Sequence, residues 1–256
     1  MPTPEPEQEQ QLEAAIWALI PCAGSGSRAG TVVPKQYQPV AGRALVLYTL
    51  DAFAAVSRVR HTLVLVAPDD HFLDRYRPAA PTSWTGVQCG GSTRAATVSN
   101  GLLALIRHGA VESDWVLVHD AARCLISPEL IGRLIDACVA DPVGGLLAHP
   151  VSDTLKFSRA GAPDRRVHAT LDRAEHWLAQ TPQMFRLGTL RAALAAAGPL
   201  VTDEAGAIEA MGLAPRLVIG SALNLKVTFP EDFALAHALL SGRQRKPPTD
   251  MDYDYP

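Results

Sequence analysis

A chain of 256 residues that is 48% hydrophobic can bury a substantial core, and α/β proteins of this size are commonly one domain. A formal charge of -3, with Lys and Arg dispersed rather than gathered in blocks, excludes the basic field that a polynucleotide partner needs. Cys22, Cys89, Cys124 and Cys138 form no C-x-x-C pair and have no His at metal-ligand spacing, so reduced thiols are expected in place of a disulfide or zinc frame.

The chain opens on "MPTPEPEQEQQ" and closes on "GRQRKPPTDMDYDYP", both too polar and Pro-rich to offset the cost of ordering. Disordered tails are expected over 1–14 and 243–256, around a single domain at 15–242. The first Lys or Arg is Arg28, so the basic segment and apolar run of a signal peptide are absent, and a cytoplasmic location is expected. No apolar stretch approaches the roughly 18 residues that span a bilayer, so no membrane partner is expected.

Between the tails, "AIWALI" (15–20), "TLVLVA" (62–67), "WVLVH" (115–119) and "GGLLAHPV" (144–151) read as strands buried on both faces. The spacers at 44–56, 92–109 and 127–140 carry apolar residues at helical spacing. The last has Ser127 as N-cap, Pro128 at the first helical position and Glu129 in the first turn, with Cys138 as plain core. Strand alternating with helix predicts a mostly parallel central sheet with helices on both faces, and ligands at the carboxyl ends of its strands. From 152 to about 176 the pattern turns polar around a Gly-Ala-Pro-Asp turn at 161–164, which reads as a protruding β-hairpin arm that packs against something else, such as a second subunit. The chain returns through "TPQMF" to a helix near 187–197, a segment "VTDEAGAIEAMG", a strand at "RLVIG" and a last helix from Pro230.

The chemistry is concentrated after the first strand, in "PCAGSGSRAGTVVPKQY". Gly24, Gly26 and Ala29 fit G-x-G-x-x-A, yet Pro34 would fall inside the helix that a dinucleotide fingerprint requires, and no acidic residue lies about 20 positions on. A Walker A loop fails too, because no Gly-Lys-Ser/Thr comes after the glycines. The glycines alone would make an ordinary connection. With Arg28, Lys35 and the stiffening Pro34, the loop reads as a triphosphate cradle without a Walker lysine.

That loop resembles those of nucleotidyltransferases, and further stretches narrow the likeness: "GGSTRAATVSNGL" (90–102), "VLVHDAAR" (116–123), "PVSDTLK" (150–156), "TLDRAEHWLAQTPQMF" (170–185), "VTDEAGAIE" (201–209) and "NLKVTFPED" (224–232). Together, from about Ile16 to Leu240, they resemble the 2-C-methyl-D-erythritol 4-phosphate cytidylyltransferase family of the non-mevalonate isoprenoid pathway. The resemblance implies a Rossmann-like nucleotidyltransferase fold, CTP as co-substrate, magnesium (Mg²⁺) as cofactor and a homodimer formed through the arm. It also implies attack of the methylerythritol phosphate on the α-phosphorus of CTP.

By that resemblance the catalytic residues are Arg28, Lys35, Arg173 and Lys226. CTP is held by Cys22, Ala23, Gly24, Gly26, Gly91, Ser92, Thr97, Asp120 and Ala121, and Gly90 helps present backbone to the cytosine. Asp120 is the metal ligand, while Asp153, Thr154, Thr181, Arg173 and Lys226 meet the second substrate, Arg173 from the partner subunit. Ala122 beside Ala121 leaves room for the ribose. Arg123 is either a salt bridge that fixes the loop or a ligand contact, and Arg94 is either an exposed helix charge or an internal brace. Cys22 is not expected to be a nucleophile, nor His119 a base, because the attacking phosphate is already an anion. The sequence departs from the family pattern at Ala29, Cys124 and Leu223, where a larger apolar residue, a Pro and a polar or acidic residue are common.

Overall fold

The computed structural model describes residues 14–24, 33–76, 83–159, 164, 166–198 and 201–245. Strand β1 (Ile16–Pro21) leads to a small antiparallel ribbon, β2 (Pro39–Val40) with β3 (Arg43–Ala44), and then α1 (Leu45–Ala54). Next come β4 (Val59–Val66), β5 (Trp84–Gln88), α2 (Arg94–Arg107), β6 (Trp115–Val118), α3 (Pro128–Cys138) and β7 (Gly144–Pro150). After β8 (Leu155–Phe157) and β9 (Ala169–Leu171) the chain runs through β10 (Trp177–Arg186), α4 (Leu187–Ala197), α5 (Glu204–Ala210), β11 (Arg216–Ile219) and α6 (Pro230–Arg245).

The main sheet has the order β11-β7-β10-β6-β1-β4-β5, and every neighbouring pair is parallel except those made by β10. Strands β1 and β6, at its centre, read as unbroken apolar runs because both their faces are covered. Ile16, Ala18 and Ile20 of β1 join one core with Phe53 of α1 and Ile131 and Ile135 of α3, while Trp17 and Leu19 join the other with Leu102 of α2 and Leu190 of α4. Each fully buried Leu or Ile contributes about 1.5–3 kcal/mol. A third cluster lies under α6, where Cys124 packs with Val40, Leu125, Val227 and Leu240, so the cysteine that replaces the usual Pro is core. The buried Cys138 is core as expected.

Ser127 caps α3, its hydroxyl accepting from the Leu130 N–H at 3.4 Å. The β2-β3 ribbon, α5 and two strands of the main sheet were not expected. Strand β5 extends the sheet edge, and β10 enters antiparallel between β6 and β7. The interior of β10 carries Gln180, Thr181, Pro182 and Gln183, and all three polar side chains are buried. Its ladder with β7 shifts register between Ala179 and Gln183, around the Pro that has no N–H to give. The segment at 203–210 is a helix whose N-cap is Asp203.

The arm is a two-stranded sheet of β8 and β9, Leu155 opposite Leu171. Of the expected turn at 161–164, only Asp164 is among the described residues. The expected tails fall largely outside them, although α6 continues to Arg245. Among the described residues no helix is long and apolar enough to cross a membrane.

Candidate active site

The chain leaves β1 toward β4 on one side and reaches β6 on the other, so the carboxyl ends of β1 and β6 flank the point where the order of strands reverses. Open α/β sheets bind ligands at such points. A cleft of about 540 Å³ lies there, and the loops after β1, β5 and β6 all reach it.

After β1 the described loop residues are Cys22, Ala23 and Gly24, and Gln36 fastens them: its amide donates to the Cys22 carbonyl at 2.8 Å and to the Gly24 carbonyl at 2.9 Å. Gln36 itself sits in a short 3-10 turn at Lys35–Tyr37, while residues 25–32, where a fingerprint helix would begin, lie outside the described residues. The Cys22 thiol is buried and donates to the Tyr37 hydroxyl at 3.7 Å. Burial pushes it up to about 12, the opposite of an activated nucleophile. Lys35 Nζ donates to the Val227 carbonyl at 2.8 Å, a contact across 192 positions that sets it beside Lys226.

The loop after β5 packs too closely for side chains. A Cβ on Gly90 would come within 2.5 Å of the Ala23 Cβ, and one on Gly91 within 2.6 Å of the Ala96 Cβ. The Gly91 N–H donates to the Thr97 hydroxyl at 3.0 Å, and that hydroxyl donates to the Thr93 carbonyl at 3.0 Å. Thr97 therefore shapes the turn, and keeps one further lone pair for a ligand donor. Thr93 caps α2 by accepting from the Ala96 N–H at 3.0 Å.

At the end of β6, Asp120 gathers three cations, one from α2 and two from loops. Lys226 Nζ lies 2.8 Å from Oδ2, Arg94 Nε 3.1 Å from Oδ1, and Arg123 Nε 3.6 Å from Oδ2. Burial pushes the Asp120 carboxyl up, but Arg94, Lys226 and Arg123 outweigh it and hold it well below the usual carboxylate range. Arg94 is an internal brace: Nη1 and Nη2 grip the two oxygens of Glu204 at 2.7 and 3.0 Å. Arg123 is a brace as well, donating to the carbonyls of Asn224 at 2.7 Å and Ala179 at 3.4 Å. Thr181 accepts from the Asp120 N–H at 3.0 Å, so its own proton goes to His119 Nδ1, also at 3.0 Å. That leaves the neutral His119 with its proton on Nε2, toward the Arg123 carbonyl. Burial lowers this imidazole to about 3, so it stays uncharged at neutral pH.

One cleft thus brings together Cys22, Ala23, Gly24, Lys35, Gly91, Ser92, Thr97, Asp120, Ala121, Ala122 and Lys226. Thr181 lines an adjoining hollow of about 190 Å³ with Arg123 and Lys226. Gly26, Arg28 and Ala29 lie outside the described residues. Asp153, Thr154 and Arg173 line neither space in this chain; they stand exposed on the arm, where Arg173 donates to the Ser152 carbonyl. Leu223 is exposed at 49% and lines neither space, so its departure leaves no gap in the cleft. Sequence reasoning missed Gln36 and Glu204. The first was legible only as the neighbour of Lys35, and the second as an ordinary acid in the first turn of a helix.

A doubly wound sheet whose switch-point cleft collects lysines and a braced carboxylate beside a glycine loop places the chain among the nucleotidyltransferases. The family model of 2-C-methyl-D-erythritol 4-phosphate cytidylyltransferase (IspD) matches residues 16–242, and the chain belongs to that family. The 2-C-methyl-D-erythritol 4-phosphate cytidylyltransferase of Burkholderia multivorans is 54% identical over 229 residues, covering 88% of this chain and 96% of that protein. The bifunctional enzyme IspD/IspF of Albidiferax ferrireducens is 58% identical over 241 residues; the match takes in 94% of this chain but only 56% of that protein's length. A crystal structure of 4-diphosphocytidyl-2C-methyl-D-erythritol synthase superposes with a TM-score of 0.78 at 41% identity, covering 90% of this chain and 99% of the other.

Proposed function

We propose that the chain transfers the cytidylyl group of CTP to 2-C-methyl-D-erythritol 4-phosphate, giving 4-diphosphocytidyl-2-C-methyl-D-erythritol and pyrophosphate. The observation that carries this, beside membership of the family, is the gathering of Lys35 and Lys226 in one cleft, with Lys226 paired to Asp120. Two anions must approach each other here, and fixed cations replace their repulsion with attraction.

An oxygen of the substrate phosphate attacks the α-phosphorus in line with the departing pyrophosphate; one P–O bond forms as the other breaks. Lys35, with Arg28, meets the triphosphate, while the loops at 22–24 and 90–92 present close-packed backbone to phosphate and cytosine. Lys226 exchanges Asp120 for the incoming phosphate, with Arg123 and Thr181 behind it. No general base is required, which agrees with a neutral, buried His119. Mg²⁺ suits this donor set: Asp120 is the one carboxylate among the described cleft residues, it is held ionised, and this ion commonly takes one or two carboxylates and completes its shell from phosphates and water. When bound, it supplies charge neutralisation on the phosphates. Arg173, Asp153 and Thr154 act from the arm of a second copy, and the exposed apolar side chains Phe157, Val167 and Leu178 on and beside the arm favour such pairing.

The test is pyrophosphate release from CTP and Mg²⁺, with methylerythritol phosphate and ribitol 5-phosphate in parallel and ATP as control. Release is expected only with CTP and methylerythritol phosphate. Equal release with ribitol 5-phosphate would move the substrate, and binding of CTP with no release would remove the activity.

A further inference from the structure

Glu204 takes no part in the chemistry above, yet it is 1% exposed and both its oxygens are committed to Arg94. Its place is fixed from both sides by β10. The Gln183 side-chain amide donates through Nε2 to Asp203 Oδ2 at 2.9 Å, and its Oε1 accepts from the Ala205 N–H at 2.7 Å. Asp203 Oδ1 also accepts from the Gly206 N–H at 3.0 Å, closing the first turn of α5. The carboxylate at 204 is therefore held in position before any ligand arrives.

The consequence lies in how a guanidinium divides its donors. Two N–H groups acting together make the strong, two-point contact with a carboxylate, and one acting alone makes a one-point contact. In this structure the fork of two Nη groups belongs to Glu204, and Asp120 receives Nε alone, at 3.1 Å. Were Glu204 neutral, the fork would lose its charged two-point partner and keep at most one uncharged acceptor there, with Asp120 the nearest anion. Three cations already face Asp120. A two-point grip would tie up the oxygens that must release Lys226 and accept a metal.

We propose that Glu204 is a positioning residue for the reaction: by occupying the fork of Arg94 it limits that side chain to one contact with Asp120 and keeps the Asp120 carboxylate exchangeable between Lys226 and a divalent cation. This rests on the reading of Asp120 as the metal ligand.

The experiment measures binding, using Mn²⁺ as the probe by electron paramagnetic resonance with CTP present, and CTP alone in chelator by calorimetry. Glu204→Gln should weaken Mn²⁺ in the CTP complex by about 10–100-fold, the range for residues that orient metal ligands. Metal-free CTP affinity should change less than about threefold, which a general loss of structure would not spare. Adding Arg94→Met removes the fork, so the double variant should bind Mn²⁺ more tightly than Glu204→Gln. If Glu204→Gln does not fold, the double variant is compared with the unaltered protein, and affinity within about threefold supports the inference while a tenfold loss overturns it. Unchanged Mn²⁺ affinity in Glu204→Gln, with loss in Asp120→Asn, overturns the role of Glu204 and spares that of Asp120. Unchanged affinity in Asp120→Asn overturns both.

Discussion

Lys35 shows how a single side chain is placed by distant backbone: the Val227 carbonyl that receives its ammonium belongs to the segment that also presents Lys226. A charge held this way meets the phosphates without reorganising, so its worth falls on the transition state. Lys35→Ala should lower kcat by about 10²–10³-fold with little change in KM for CTP, as steady-state kinetics would report. A raised KM at unchanged kcat would reduce Lys35 to a binding contact. Lys35, Asp120 and Lys226 were legible in the sequence because each sits in a short motif whose neighbours constrain it. Glu204 was not: its partner Arg94 is 110 positions away, and nothing local separates a braced acid from a solvated one. The same ignorance of partners left Arg94 and Arg123 open until their hydrogen bonds were seen.

Among the elements, those with one simple reason to exist were readable. Strands β1 and β6, and the greater part of β4 and β7, are runs of apolar residues buried on both faces, and α3 announces its start with Ser127 and Pro128. Strand β10 had the opposite signature, since its buried Gln180, Thr181 and Gln183 are satisfied by partners far along the chain. The fit of β7 against β10 is close: Gly144 has φ +102°, and a Cβ there would stand 2.2 Å from the Met184 carbonyl oxygen. Gly198, at φ +72°, has nothing among the described residues within 4 Å of such an atom. Gly198→Ala should therefore cost only the left-handed strain, about 1–3 kcal/mol. Gly144→Ala should cost clearly more, with a lower melting temperature at roughly 2–4 °C per kcal/mol. Equal melting temperatures for the two variants would mean that β7 and β10 can part without penalty.

For the whole molecule, the decisive question is where Arg173 acts, since in one chain it lies on the arm away from the cleft that holds Lys226. Arg173→Ala and Lys226→Ala should each abolish turnover alone. Mixed and allowed to exchange subunits, they should recover about a quarter of normal activity, because half the dimers would own one intact site of two. No recovery would confine both residues to one chain's chemistry or remove Arg173 from it.

The arm is also a lesson in modular construction. Its two ends, Pro150 and Trp177, are already opposite each other in the ladder of β7 and β10. Everything between them is an enlarged hairpin connection whose mouth the sheet holds shut. Such a loop can change its length at a cost of only about 0.6 kcal/mol per doubling. The portion of the fold that reaches outward is thus a cassette: it can be shortened, lengthened or exchanged between relatives without rethreading a single strand of the catalytic sheet.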